Sequence, residues 1–392
     1  MLKYRPARTA AVALAAVLAL WPLAVHAADA TWESWVSIPG ATDVDGPRSD
    51  GQLLVMGSAA LYLVDSTGNV QSFARGPGGY HDDPGLEAYV AVSHGEHVGV
   101  AGCDFGKDDT YILRVHVPMG VTRVSADGGD TGPLANSTGA QVLGGIAFDT
   151  GGGFDHRLLV LGINSTNSTL TAVDCMGQTQ LITAALPPLE GQMAIAPAGF
   201  GQFADNLIIP DETGRVLAVA PDGSIRTVVG RPLPAGVDVT LGGLGFVPPG
   251  FMAHGGYAYH ANHGSTVSNS SASDGIYRVS AGALLAAGVQ DGDLLAVAED
   301  GGAMISVHCE SSCRAVRVIA GNPAAHVEGH VAFAVNQPPP SASPVAQATQ
   351  VARYSPGLVD FIGAWGVPLG LVVIVLVFGA GIGVAAMRRR GR

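Results

Sequence analysis

Two families of short segments alternate along the chain with a period near 50 residues, and the sequence carries 55 glycines among 392 residues. Together they predict an all-β fold: an exported six-bladed β-propeller followed by one C-terminal transmembrane helix. Apolar usage of 47% against 13% charged is explained by the two ends, an apolar run near Ala10 to Val25 and a longer one from Phe361 to Met387.

The first family is a turn between strands. It reads Val64-Asp65-Ser66-Thr67-Gly68-Asn69, Val173-Asp174-Cys175-Met176-Gly177-Gln178 and Val219-Ala220-Pro221-Asp222-Gly223-Ser224, with looser copies at Ala126-Asp127-Gly128 and Ser280-Ala281-Gly282. Each puts glycine where a tight hairpin needs positive φ and a carboxylate where it bonds the turn. Glycines 68, 128, 177, 223 and 282 are spaced by 60, 49, 46 and 59. The second family is a short apolar strand centred on a small residue: Ala91, Ala147, Ala194, Gly245, Ala296 and Ala332, spaced by 56, 47, 51, 51 and 36. Small residues let strands crowd round an axis, and two interleaved markers mark one four-stranded blade per period. A β-sandwich explains regular turns but not both families. The last copy, Glu328 to Val335, has no strands after it, and Gln52 to Ala74 has no such strand before it. Pairing of these two ends in one blade is therefore the expected closure of the ring, giving six blades.

The ends read as export and anchoring signals. Lys3, Arg5 and Arg8 precede an apolar run that ends in Val25-His26-Ala27 and Ala28-Asp29-Ala30, the pattern of a signal peptide over 1–30. The propeller is expected over 31–335, a Pro-rich stalk over 336–355, and a membrane helix over 361–387 that is free of charge. Arg388, Arg389, Arg390 and Arg392 form a basic tail over 388–392, which places the body outside the plasma membrane as a single-pass, type I protein.

Charge and cysteine usage agree with that compartment. Between Thr31 and Met387 there are 13 basic residues against 31 acidic ones, a net charge near −18, and Lys107 is the only lysine. Such a surface disfavours nucleic acid as a partner. Cys309 and Cys313 are expected to bridge a tight hairpin, while pairing of Cys103 with Cys175 is left open by the sequence.

In a propeller, the loops between blades and those joining the second and third strands of each blade share one face. Glu87, Glu190 and Glu328 stand at the start of axial strands, and Asp82, Asp83, Asp108, Asp211, Glu212 and His260 fall in loops assigned to the same face. A mouth ringed by carboxylates suits Ca2+ or another divalent cation, which takes several oxygen ligands. His326 and His330, in a loop followed by a strand, read as a solvated pair. No Gly-x-Ser-x-Gly, His-Glu-x-x-His or phosphate-loop motif occurs.

The segments around Gly68 and Gly223 resemble blades of the NHL, regucalcin/gluconolactonase and streptogramin-lyase-like propellers, over Gly51 to Val335. The resemblance implies a metal at the axial mouth held by a glutamate at the start of an axial strand, a role that Glu87, Glu190 or Glu328 matches. The chain departs from those enzymes in lacking a recognisable set of partner Asn/Asp ligands. The sequence thus favours a binding module for a protein, glycan or small ligand; a metal-dependent hydrolase or lyase of the lactonase type is the alternative. It leaves the oligomeric state open.

Overall fold

The computed structural model describes residues 30–336, apart from 59, 75–78, 82–87, 138, 190, 234–239, 264–273 and 322–324. The signal peptide, stalk, membrane helix and tail lie outside the described residues except for Ala30 and Asn336, as do Asp82, Asp83, Glu87 and Glu190. Among the described residues no helix is long and apolar enough to cross a membrane.

Strand β1 (Glu33–Ser37) comes first. A four-stranded antiparallel sheet follows in chain order: β2 (Ala41–Asp45), β3 (Leu53–Gly57), β4 (Ala60–Val64) and β5 (Val70–Ser72). The second sheet starts with β6 (Val90–Val92), passes through a small hairpin, β7 (His97–Val98) and β8 (Cys103–Asp104), and continues with β9 (Thr110–Arg114), β10 (Gly120–Val124) and β11 (Thr131–Asn136). The third holds β12 (Val142–Phe148), β13 (Leu158–Ile163), β14 (Ser168–Val173) and β15 (Thr179–Leu186). The fourth holds β16 (Ala194–Ile195), β17 (Leu207–Pro210), β18 (Val216–Val219) and β19 (Ile225–Val229).

Chain order then breaks. After β20 (Leu241–Phe246) come helix α1 (Phe251–His254), the hairpin β21 (Gly256–Asn262) and β22 (Gly275–Ser280), and helix α2 (Ala281–Ala286). The described residues close with β23 (Leu294–Ala298), β24 (Met304–Cys309), β25 (Cys313–Ile319) and β26 (Val327–Val335). With β1 these build one eight-stranded sheet in the order β1-β22-β21-β26-β20-β23-β24-β25. Its halves meet where β20 and β26 run parallel, Gly243 opposite Gly329 and Leu244 opposite His330.

The first strands of successive sheets neighbour one another in a cycle: β2 beside β6, β6 beside β12, β12 beside β16, β16 beside β20, β20 beside β26, and β26 beside β2. This is a propeller-like arrangement. Strand periodicity explains its core, because alternate residues of a strand face opposite sides. In β3, Leu53 and Val55 join the apolar cluster shared with Tyr259 and Ile276, while Leu54 and Met56 join the one shared with Val90 and Ile112. Sheets packed on both faces bury every position of a strand, and β3, β9 and β23 are buried throughout, β9 with Thr110 and Arg114 at its ends. Similar clusters lie between the third and fourth sheets (Leu159, Leu161, Leu207, Ile209) and between the halves of the large sheet (Val297, Met304, Val331, Phe333).

The small residues sit where backbones crowd. A Cβ on Gly245 would lie 2.1 Å from the carbonyl oxygen of Val331, and one on Gly329, at φ +79°, 2.3 Å from an Asp43 carboxylate oxygen. Of the six strands so marked, those of Ala91, Ala147, Ala194, Gly245 and Ala332 belong to the cycle of first strands; that of Ala296, in β23, is the second strand of its half. Strand β2 takes the vacant place in the cycle. The expected closure is corrected accordingly: β26 pairs in the backbone ladder with β21 and β20, not with the sheet of Gln52 to Ala74, which has its own first strand. The first and last described strands, β1 and β26, nevertheless share one sheet.

Gly68, Gly128, Gly177 and Gly223 have φ of 88°, 67°, 79° and 82°, each in the link between third and fourth strands. The Ser280-Ala281-Gly282 copy is no turn. It opens α2, with the Ser280 hydroxyl accepting the Ala283 N–H, because the fourth strand beside β22 is β1 and no hairpin is required. In the other half of the large sheet, the third–fourth link is the Cys309–Cys313 hairpin, closed by its disulfide. A second disulfide joins Cys103 in β8 to Cys175 in the turn after β14.

Candidate functional site

Polar side chains meet at the middle of the axis. Asp43, on β2, has no solvent exposure. Its carboxylate accepts the N–H groups of Val44 (2.8 Å), Val90 on β6 (2.8 Å) and His330 on β26 (2.7 Å), and the Gln192 side-chain amide (3.3 Å). The Gln192 Oε1 in turn accepts the Ile146 N–H on β12 at 3.3 Å. Neighbouring first strands expose no complete ladder to one another, so side chains supply the missing acceptors. Asp45 repeats the device, accepting the Val92 N–H at 2.7 Å.

The His330 imidazole lies 3.1 Å from Asp43 through Nδ1. Burial pulls its pKa down, but the Asp43 charge and hydrogen bond outweigh this and push it up to about 9. The expected solvated pair is therefore corrected: His330 is buried, and His326 is half-buried among carboxylates. A buried carboxylate attracts a proton to its neighbour, which the sequence reading lacked because it had not placed Asp43.

On one side of this layer, at the C-terminal ends of the first strands, is a cavity of about 470 Å3. Phe148, Phe246, Phe333 and Pro248 give it apolar walls, and Asp45, His94, Thr150 and His330 give it polar ones. On the other side, at the start of β26, Glu328 is 4% exposed. Its Oε2 accepts the Tyr89 hydroxyl at 2.6 Å and its Oε1 meets His326 Nε2 at 3.1 Å. His326 Nδ1 faces Asp300 at 3.0 Å and its Nε2 lies 3.6 Å from Glu299. The hydrogen bond to Glu328, with help from Asp300 and Glu299 and against burial, pushes the His326 pKa up to about 9.

The other expected site residues that the structure describes do not join Glu328. Asp108 belongs to the loop between β8 and β9, which leaves the opposite end of the axis from Glu328, and its carboxylate takes the Ser49 N–H (2.7 Å) and hydroxyl. Burial raises its pKa, but those bonds hold it below the ordinary value. Asp211 is 2% exposed and occupied in its own turn, accepting from the Thr213 and Arg215 N–H groups and the Arg215 guanidinium. Its pKa is held low by those donors against burial. Glu212 is exposed in that turn. His260 is in the core of the large sheet, with its ring 4.1 Å from Trp32 and stacked on Tyr277, and burial pushes its pKa down to about 4.

Asp43, Gln192, Tyr89, Glu299 and Asp300 escaped the sequence reading. A signal for Asp43 exists: it stands 47 residues before its partner Val90, within the repeat period, and Asp45 stands 47 before Val92. Its polar strand, Ala-Thr-Asp-Val-Asp, masked it from a search for apolar segments.

No family model and no curated protein matches the chain. Among solved structures, a protein of unknown function from Bacteroides thetaiotaomicron is 12% identical, covering 79% of this chain and 71% of its own, with a TM-score of 0.45. A protein of unknown function from Bacteroides caccae is 16% identical, covering 72% and 73%, with a TM-score of 0.35.

Proposed function

We propose that the chain is a membrane-anchored, extracytoplasmic β-propeller of six blades, the eight-stranded sheet counting as two, and that it works as a binding module. The observation that carries the binding reading is the axial cavity. At about 470 Å3 it has the size of small-molecule sites, and it combines phenyl walls with a few convergent polar groups. Such a lining fits a sugar ring or small organic molecule with one apolar face and a hydrogen-bonding edge. The strongly acidic body argues for a neutral or cationic ligand and against nucleic acid. The lactonase-type alternative loses support from Asp108 and Asp211, whose carboxylates are taken up by loop and turn donors.

Thr150 is exposed at the cavity, so Thr150→Trp fills it without disturbing the core. Thermal-shift screening of monosaccharides and small organic molecules should give ligands that raise the melting temperature of the wild type and not of Thr150→Trp. Ligands that stabilise both proteins equally, or a screen without ligands, would count against the axial site. Protease added to spheroplasts should release the body, and full protection would reverse the proposed topology.

A further inference from the structure

The mouth at the start of β26 gathers three ligand-type atoms. His326 Nε2 lies 3.1 Å from Glu328 Oε1 and 3.6 Å from Glu299 Oε1, and the group falls within 4.8 Å. Atoms bound to one ion at about 2.0–2.2 Å stand about 3–4 Å apart, as His326 Nε2 does from each glutamate. Groups outside the trio orient it. Asp300 faces His326 Nδ1 at 3.0 Å, so when a metal takes the place of the Nε2 proton, Nδ1–H still donates to Asp300 and holds the ring with Nε2 toward the two glutamates. The Tyr89 hydroxyl holds Glu328 Oε2 and leaves Oε1 on the side of His326. His263 stands next to the trio, its ring 5.8 Å from that of His326, and its Nδ1 is buried with no partner among the described residues. Three carboxylates around one imidazole leave an excess of negative charge in a half-buried place.

We propose that His326, Glu328 and Glu299 form a binding site for a divalent transition-metal ion of the Zn2+ class. One imidazole with two carboxylates matches that class better than Ca2+, which takes six to eight oxygens. Three protein ligands also leave coordination positions open. The site lies at the opposite end of the first strands from the axial cavity, so it stands independently of the binding reading. Asp300 and Tyr89 are positioning residues, acting through His326 and Glu328.

The test is calorimetric titration of the chelator-treated full chain with Zn2+, alongside the visible absorption of the Co2+ form. One Zn2+ per chain is expected, with Ca2+ bound more weakly, and Co2+ bands that carry the intensity of an imidazole-containing site of low coordination number. Glu299 is half-buried, so Glu299→Gln should keep the melting temperature of the metal-free protein and weaken Zn2+ at least about 10-fold. Asp300→Asn should weaken it by about 10–100-fold. If the trio is only an ion-pair patch round a protonated His326, no stoichiometric Zn2+ is taken up; that result overturns the proposal. Zn2+ bound equally well by Glu299→Gln, or Ca2+ preferred over Zn2+, also overturns it.

Discussion

The Asp43 carboxylate is accommodated at zero exposure because three N–H groups, the Gln192 amide and the His330 imidazole converge on it. Removing the carboxylate leaves a buried imidazole and several backbone donors short of an acceptor. Asp43→Ala should therefore cost about 3–5 kcal/mol in urea unfolding, and a loss under about 1 kcal/mol would show that the network is dispensable. His260 gives the pH prediction. Its folded pKa of about 4 lies below the ordinary value of 6.5, so the unfolded chain takes up a proton that the folded one refuses. Its contribution is complete above pH 6.5 and falls away as the pH drops toward 4, by up to roughly 3 kcal/mol. In His260→Phe this part of the acid destabilisation should vanish, and an unchanged slope between pH 6.5 and 4 would contradict the buried neutral ring. At this scale the sequence singles out Glu328 by its place just inside a strand with a small residue at its centre, which is where β26 puts it. It concealed Asp43 and misplaced His330, because burial of a charge depends on partners that are 47 and 287 residues away.

The elements were more legible than their order. Turn glycines mark third–fourth strand links because only a residue without Cβ tolerates that φ cheaply, and the Asp of each turn bonds it, as Asp65 accepts from Thr67 and Asn69. Small residues mark first strands because neighbouring first strands crowd there, most tightly at Gly245, where a Cβ would strike the Val331 carbonyl. Neither signal reports that β21 and β22 leave between β20 and β23 to serve the other half of the large sheet, so the Ala296 and Gly282 copies misled. The two disulfides differ in the same way between local and distant. Cys309–Cys313 spans 4 residues within one hairpin, and Cys103–Cys175 spans 72 and ties the second sheet to the third. Chain entropy then predicts a loss of about 2 kcal/mol for Cys309→Ser with Cys313→Ser and about 4 kcal/mol for Cys103→Ser with Cys175→Ser. Denaturant unfolding of the two double variants checks the order, and equal losses would place the stabilisation elsewhere.

Across the described residues, the first and last strands meet in one sheet: β1 forms its outer edge, and β26 lies between β21 and β20. Strand β26 buries Val327, Val331 and Phe333, brings His330 to Asp43, and sets Glu328 beside Tyr89. A ring closed by its last strand predicts that no partial chain keeps the axis, since loss of β26 frees edges of β20 and β21 together with an unpaired carboxylate. The most direct measurement is thermal unfolding of a chain ending at Gly321, which lacks β26, against one ending at Gln337, which keeps it. The Gln337 chain should be soluble and melt cooperatively, while the Gly321 chain should aggregate or melt at least about 10 °C earlier. A Gly321 chain as soluble as the longer one, with a melting temperature within about 2 °C of it, would contradict closure by β26 and the axial site built on it.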